Sequence, residues 1–171
     1  TVEREKLIEE MTNIVLKENV LSSETDLYLY GYDASLFRGK PDCIVLPGST
    51  EEVSKIVKFA HGAGIHVIGR GSGTNLSGGT IPTQGGIIIH FSRMNKVLEI
   101  DVENQRAVVE PGIFTLALKN ALAHYGYVYQ PDPASEKVST LGGNFGENSG
   151  GPHCLKYGVT TNHILGAEVV L

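Results

Sequence analysis

The sequence predicts an α+β fold in two lobes, a small β-α-β lobe followed by a second, incomplete α+β lobe. Some segments carry apolar residues at the three-and-four spacing of a helix, and others are short apolar runs typical of strands. One strand–helix–strand segment of about 28 residues predicts two neighbouring parallel strands. Most of the 21 glycines among the 171 residues fall in two clusters, at 62–86 and 142–158. Such clusters indicate loops shaped around a ligand.

The N-terminal part predicts one helix and one irregular connector. Residues 2–19 place Leu7, Met11 and Val15 at helical spacing. Residues 22–40 are polar and rich in tyrosine and show no regular period, so we expect a connector there.

The β-α-β segment follows the connector. An apolar strand at 43–46 leads to Ser49, which has a glutamate three positions later, the spacing of a capping box at the start of a helix. We expect Gly62 and Gly64 to end this helix, before the next strand at 66–69.

The remaining elements define the second half of the chain. In order they are a strand at 86–91, a hairpin of 97–101 and 106–110, a helix at 116–125 and a last strand at 165–171. These elements give three expected parts: an N-terminal helix and connector at 1–40, a first lobe at 41–110 and a second lobe at 111–171. Because the chain begins with Thr1 and stops within a predicted strand, we interpret it as a fragment whose second lobe is incomplete.

Composition and charge exclude several classes of protein. Hydrophobic residues make up 41% and charged residues 19%, which is ordinary for a globular chain. A net charge of −5 argues against a nucleic-acid surface. Cys43 and Cys154 form neither a disulfide framework nor a CxxC pair. No apolar run reaches the roughly 20 residues of a membrane span. We therefore expect a soluble, cytoplasmic protein.

The first glycine cluster predicts an anion-binding loop. Residues 69–79 carry the sequence GRGSGTNLSGG directly after a predicted strand. Small residues let successive backbone N–H groups converge on a phosphate. The loop lacks the lysine of a Walker A motif, and Thr74 and Leu76 stand where the Rossmann fingerprint requires glycine.

Several stretches resemble the FAD-binding domain of the vanillyl-alcohol oxidase type of flavoprotein. RGSGTNLSG at 70–78 resembles the pyrophosphate loop of that family, and PDCIVLP at 41–47 resembles the opening of the domain. PDPAS at 131–135 falls in the expected order. TLGGNFGENSGGPHCLKYG at 140–158 is similar to the group of glycolate oxidase flavin subunits and D-lactate dehydrogenases.

This resemblance implies two groups of FAD-binding residues, for each of which a turn or packing role is the alternative. The first group would hold the pyrophosphate, mainly through its backbone: Arg70, Gly71, Ser72, Gly73, Thr74, Asn75, Ser77 and Gly78. The second would lie along the flavin, its ribityl chain and the adenine end: Pro131, Asp132, Ser139, Thr140, Gly142, Gly143, Asn148, Gly151, Tyr157, Gly158 and Ile164. Some relatives attach FAD through a histidine four residues after the loop arginine. That position is Thr74 here, so we expect FAD to be non-covalent.

The resemblance also implies a function. It indicates a dehydrogenase or oxidase that transfers a hydride from a small 2-hydroxyacid to flavin N5 and passes electrons to another subunit or acceptor. In this family the substrate-binding residues lie mostly in a later domain, so we expect no catalytic residue here and no activity of this chain alone. No histidine has metal-ligand spacing, so no metal is expected. The alternatives are a non-catalytic nucleotide- or flavin-binding module and a cell-wall precursor reductase of the same fold.

Overall fold

The chain forms two compact units in a computed structural model that describes residues 3–171. The first unit runs to Arg93 and includes Glu168–Leu171, and the second is Met94–Ala167. The sequence placed the boundary between lobes after residue 110, so that the hairpin fell in the first lobe. The hairpin instead belongs to the second unit, because its apolar residues pack against the buried side chains of Ile113 and Leu118.

The described part of the first unit, from residue 3 onward, contains a four-stranded sheet and three helices. Its elements are α1 (Arg4–Val15), β1 (Val20–Leu21), α2 (Glu24–Tyr30), β2 (Cys43–Val45), α3 (Thr50–Ala63), β3 (Val67–Arg70) and β4 (Ile87–His90). The sheet order is β1-β2-β4-β3, with β4 parallel to both β2 and β3 and β1 antiparallel to β2. The prediction that β2 and β3 are neighbours is therefore wrong. β4 lies between them, and its Ile87, Ile88 and Ile89 are all buried, as expected for a central strand of a sheet that is covered on both faces.

Helix α3 confirms the predicted start and corrects the predicted end. The Ser49 hydroxyl accepts a hydrogen bond from the Glu52 amide at 3.3 Å, and the Glu52 carboxylate accepts one from the Gly48 amide at 2.7 Å. Gly64 ends the helix in the left-handed region, with φ 65°. Gly62 lies inside the helix and does not end it.

Helix α2 was not predicted, and it lies where the sequence indicated a connector. Ser23 and Asp26 form a capping box at its start. Its one buried residue, Leu27, packs against Ile44 and Ile88 of the sheet. At seven residues the helix is too short to show a hydrophobic period.

Helix α1 is shorter than its prediction of 2–19. It buries Leu7, Met11 and Val15 and ends there, because Leu16 adopts a φ of 69°. A 3-10 turn at Lys17–Asn19 follows. Val2, where the predicted helix began, lies outside the described residues.

The second unit contains the predicted hairpin and three helices. Its elements are β5 (Val97–Asp101), β6 (Arg106–Val109), α4 (Thr115–Ala123), α5 (Leu141–Glu147), α6 (Cys154–Tyr157) and a 3-10 turn at Thr160–His163. The strand predicted at 165–171 does not form, because no strand of residues 3–171 pairs with this segment. None of the helices in that range has the length and apolar character needed to cross a membrane.

Candidate cofactor-binding site

The loop after β3 takes its shape from glycines and from one buried arginine. Gly73 has a φ of 68° and Gly78 a φ of 78°, both in the left-handed region that favours glycine. A Cβ atom on Gly73 would overlap the guanidinium of Arg70. The loop therefore folds directly over the Arg70 side chain, and only glycine fits at position 73.

Arg70 supports this loop from inside the first unit. Its side chain is 7% exposed and lies over the Tyr30 ring, 5.5 Å from the ring centroid. It donates hydrogen bonds to the Tyr32 carbonyl at 2.8 Å and to the Thr80 hydroxyl at 3.3 Å. Burial lowers the pKa of Arg70, and its Nε atom has no hydrogen-bond partner among the described residues. The site thus has a fixed guanidinium beneath the loop.

A second buried charge, Asp33, contacts the same loop, and the sequence analysis did not single it out. Its carboxylate accepts hydrogen bonds from the Ser35 amide and from Nδ2 of Asn75, each at 2.7 Å. Burial by itself raises the pKa of this carboxyl, but the hydrogen bonds from Ser35 and Asn75 outweigh it and hold the pKa below its ordinary value. Asn75 also accepts a hydrogen bond from the Thr80 hydroxyl at 3.3 Å. The network gives no sequence signal, because Asp33 and Asn75 are 42 positions apart.

The loop fits a pyrophosphate group. The backbone amides of Gly73, Thr74 and Asn75 donate no hydrogen bond within residues 3–171. Amides of this kind, left open in a turn of small residues, form the donor set that binds phosphate.

In the second unit, the predicted residues around 140–143 form the start of α5. The Thr140 hydroxyl accepts a hydrogen bond from the Gly143 amide at 3.2 Å, which caps the helix. The Gly142 amide donates to the Pro111 carbonyl at 2.8 Å, and a Cβ on Gly142 would lie 2.7 Å from the Pro111 side chain. Glycine is therefore required at 142 for packing within the protein.

A buried polar cluster supports this helix start. The Ser139 and Thr115 hydroxyls lie 3.1 Å apart, and the Asn144 carboxamide donates to the Thr115 hydroxyl at 2.6 Å. All three residues are buried. Thr115 and Asn144 were not predicted as site residues. The sequence shows only that Thr115 and Asn144 are polar, and their burial became evident from the structure.

Asp132 connects two predicted segments of the second unit. Its carboxylate accepts a hydrogen bond from Nδ1–H of His153, and this bond lowers the pKa of Asp132. A Cβ on Gly151 would overlap both the carbonyl and the carboxylate of Asp132. The adjacent Pro131 is buried. Asp132 thus holds the 151–153 turn against the 131–133 turn.

The other predicted residues of the second unit shape its turns. Asn148 ends α5 in the left-handed region with φ 52°, and Gly158 ends α6 with φ 82°. The Tyr157 carbonyl accepts a hydrogen bond from Nε2 of His163 at 2.8 Å. Ile164 follows the 3-10 turn and is half-buried.

Each group of predicted residues is brought together within its own unit. The residues predicted to hold the pyrophosphate lie in the first unit, and the residues predicted to lie along the flavin belong to the second unit. Within residues 3–171, no three His, Cys, Asp or Glu side chains gather into a possible metal site.

Comparison with known proteins defines the class. The sequence family described as an FAD binding domain matches residues 41–171, so the chain belongs to this family. It is an FAD-binding domain of the vanillyl-alcohol oxidase type, and FAD is its cofactor.

Individual proteins of known name are also similar to this chain. The chain is 44% identical to glycolate oxidase subunit GlcD of Bacillus subtilis, over 95% of this chain and 35% of that protein. It is 41% identical to D-lactate dehydrogenase of Archaeoglobus fulgidus, over 75% of this chain and 28% of that protein. The solved structure of an alkyldihydroxyacetonephosphate synthase matches with a TM-score of 0.85 and 29% identity, over 94% of this chain and 32% of that one. The chain thus spans about a third of the length of the relatives it matches.

Proposed function

We propose that this chain is the FAD-binding part of an oxidoreductase that oxidises small 2-hydroxyacids of the glycolate or D-lactate kind. The observation that carries the proposal is the loop after β3, which offers open backbone amides above the Arg70 guanidinium to a pyrophosphate. The substrate class is supported by two relatives, one named as a glycolate oxidase subunit and one as a D-lactate dehydrogenase.

The chain's own part in this function is to bind and orient the cofactor. Bound FAD supplies the hydride acceptor, and the protein supplies position and surroundings. We propose that the 70–78 residues bind the pyrophosphate and that the start of α5, with the turns at 131–133 and 151–158, lies along the flavin. The close packing of Gly142 on Pro111 and of Gly151 on Asp132 fixes these turns, which supports such a role.

Oxidation of a hydroxyacid needs two further groups, a proton acceptor for the hydroxyl and a cation that binds the carboxylate. We assign neither to the described residues. Since the relatives are about three times as long, we propose that both groups lie outside residues 1–171. One relative is named as a subunit, which supports other oxidoreductase subunits or a separate electron acceptor as partners. Two free cysteines suit a reducing compartment, so we place the protein in the cytoplasm.

Two measurements test the proposal. The purified chain mixed with FAD and passed over a desalting column should remain yellow, since its loop retains the pyrophosphate. The native flavoprotein that carries this sequence should reduce an artificial dye with glycolate or D-lactate, in a panel of D- and L-2-hydroxyacids. Dye reduction with none of these acids would contradict the oxidoreductase proposal and favour a non-catalytic flavin-binding module. Rapid turnover by residues 1–171 alone would contradict the placement of the catalytic groups outside them.

A further inference from the structure

Asp33 is a charged side chain in a place where a charge is costly. It is 6% exposed and follows α2 in a segment without regular structure. Burying a carboxylate is unfavourable unless hydrogen bonds and opposite charges compensate it. The bond from the Ser35 amide closes a local turn and needs nothing from the rest of the chain. The bond from Asn75 is different, because it fixes a residue of the loop after β3, residues 70–78, which we call the phosphate loop.

From Asn75 the contacts close into a ring. Asn75 accepts from Thr80, Thr80 accepts from Arg70, and Arg70 donates to the carbonyl of Tyr32, next to Asp33 in the sequence. A ring of this kind fixes both ends of the loop at once. Breaking the Asp33–Asn75 bond removes one of the two hydrogen bonds that the buried Asp33 carboxylate accepts, which is unfavourable.

The ring also controls what the Asn75 side chain can do. Asparagine side chains readily bond to nearby backbone groups in turns. A free Asn75 carboxamide would compete for the amides of its own loop, which are the groups a phosphate needs. Nδ2 donates to the Asp33 carboxylate at 2.7 Å and to the Ser77 hydroxyl at 3.2 Å, and Oδ1 accepts from Thr80, so the carboxamide is occupied.

We propose that Asp33 is a positioning residue for the phosphate loop: by holding the Asn75 side chain, it keeps the amides of Gly73 and Thr74 open for the pyrophosphate of FAD. This inference rests on the proposed function, because it requires FAD at this loop. Asp33 acts through Asn75 and does not itself contact the cofactor.

The test is a double-mutant cycle on FAD affinity, measured by quenching of flavin fluorescence on the full 171-residue chain. Asp33→Asn keeps the shape of the side chain but leaves one acceptor oxygen, so the side chain can no longer accept from both the Ser35 amide and Nδ2 of Asn75. We expect it to raise the Kd for FAD about tenfold, the equivalent of about 1.4 kcal/mol. Asn75→Ala should have a similar effect, and the double variant should lose no further affinity, because both changes break one link. Ile56→Val, a buried change in α3, is the control for lost stability and should leave the Kd within twofold.

The outcomes separate this inference from the proposed function. If the wild-type chain does not bind FAD, the proposed function fails and this inference fails with it. If the wild type binds FAD and Asp33→Asn binds within twofold, or if the two effects add in the double variant, only the positioning role is overturned. Should Asp33→Asn not fold, Thr80→Ala decides, because Thr80 is buried and its hydroxyl joins Arg70 to Asn75 in the ring. A severalfold higher Kd in Thr80→Ala supports the proposal, and an unchanged Kd overturns it.

Discussion

Substituting Gly73 with alanine should both destabilise the first unit and abolish most FAD binding. A non-glycine residue at a φ of 68° costs about 1–2 kcal/mol. The added Cβ would overlap the Arg70 guanidinium, and overpacking of that kind costs about 1–3 kcal/mol. Arg70 cannot move aside cheaply, because it is buried and donates to the Tyr32 carbonyl at 2.8 Å. Together we expect the free energy of unfolding to fall by about 2–5 kcal/mol, out of a typical total of about 5–15 kcal/mol.

A matched glycine provides the control for this substitution. Gly62 lies inside α3 with no atom within 4 Å of an added Cβ, so Gly62→Ala should be neutral or stabilise the chain by about 0.5–1 kcal/mol. Urea unfolding gives the stability of each variant, and fluorescence titration with FAD gives the affinity at a temperature where each is folded. If Gly73→Ala matched Gly62→Ala in both measurements, neither the strain at position 73 nor the loop assignment could stand.

Three further predictions follow from single positions. Because Thr74 has no nucleophilic nitrogen, acid precipitation of the FAD-loaded chain should leave the yellow colour in the supernatant, and colour in the pellet would show a covalent link. Gly151→Ala should destabilise the second unit through overlap with Asp132, whereas Gly146→Ala in α5 meets no atom within 4 Å and should not, as thermal unfolding of the two variants can check. The pKa of Asp33 is lowered in the folded chain, so its contribution to stability is present above the ordinary carboxyl pKa of about 3.9 and is lost as the pH falls through the folded value. Acid unfolding of Asp33→Asn should therefore be less steep than that of the wild type, and identical acid profiles would contradict this.

The fold could be predicted from the sequence wherever the signal is local. Ser49 capped α3 as its spacing indicated, and the apolar runs at 43–46 and 86–91 contain β2 and β4. The order of the strands could not be predicted, because a crossover helix fixes the direction of the strand that follows but not which strand lies beside it. The segment at 165–171 shows the same limit, since its apolar pattern suits a strand but a strand forms only with a partner.

The residues of the candidate site could likewise be predicted only where they give a local signal in the sequence. Glycine clusters indicated both loops in the sequence, because a left-handed φ, as at Gly73, or a close backbone contact, as at Gly151, requires glycine. No residue type or local pattern in the sequence indicated the roles of Asp33 and Thr115. Asp33 bonds to Asn75, 42 positions away, and Thr115 bonds to Asn144, 29 positions away, and the local sequence gives no indication of partners at such distances.

Arg70 and Asp33 are two buried charged residues at the phosphate loop, and both would affect how this acidic chain binds an anionic cofactor. The net charge is −5, so long-range attraction does not bring a pyrophosphate to this protein. Arg70 supplies a positive charge directly beneath the loop, where it is screened by salt less than a surface charge would be. Burial lowers the pKa of Arg70, and the Asp33 carboxylate acts on it in the opposite direction. In the proposed site the direction of the backbone amides would select the pyrophosphate, and we expect that direction to depend on the left-handed Gly73 and Gly78 and on the Asn75 side chain. We therefore expect the affinity of this loop for FAD to depend on its backbone conformation as well as on charge.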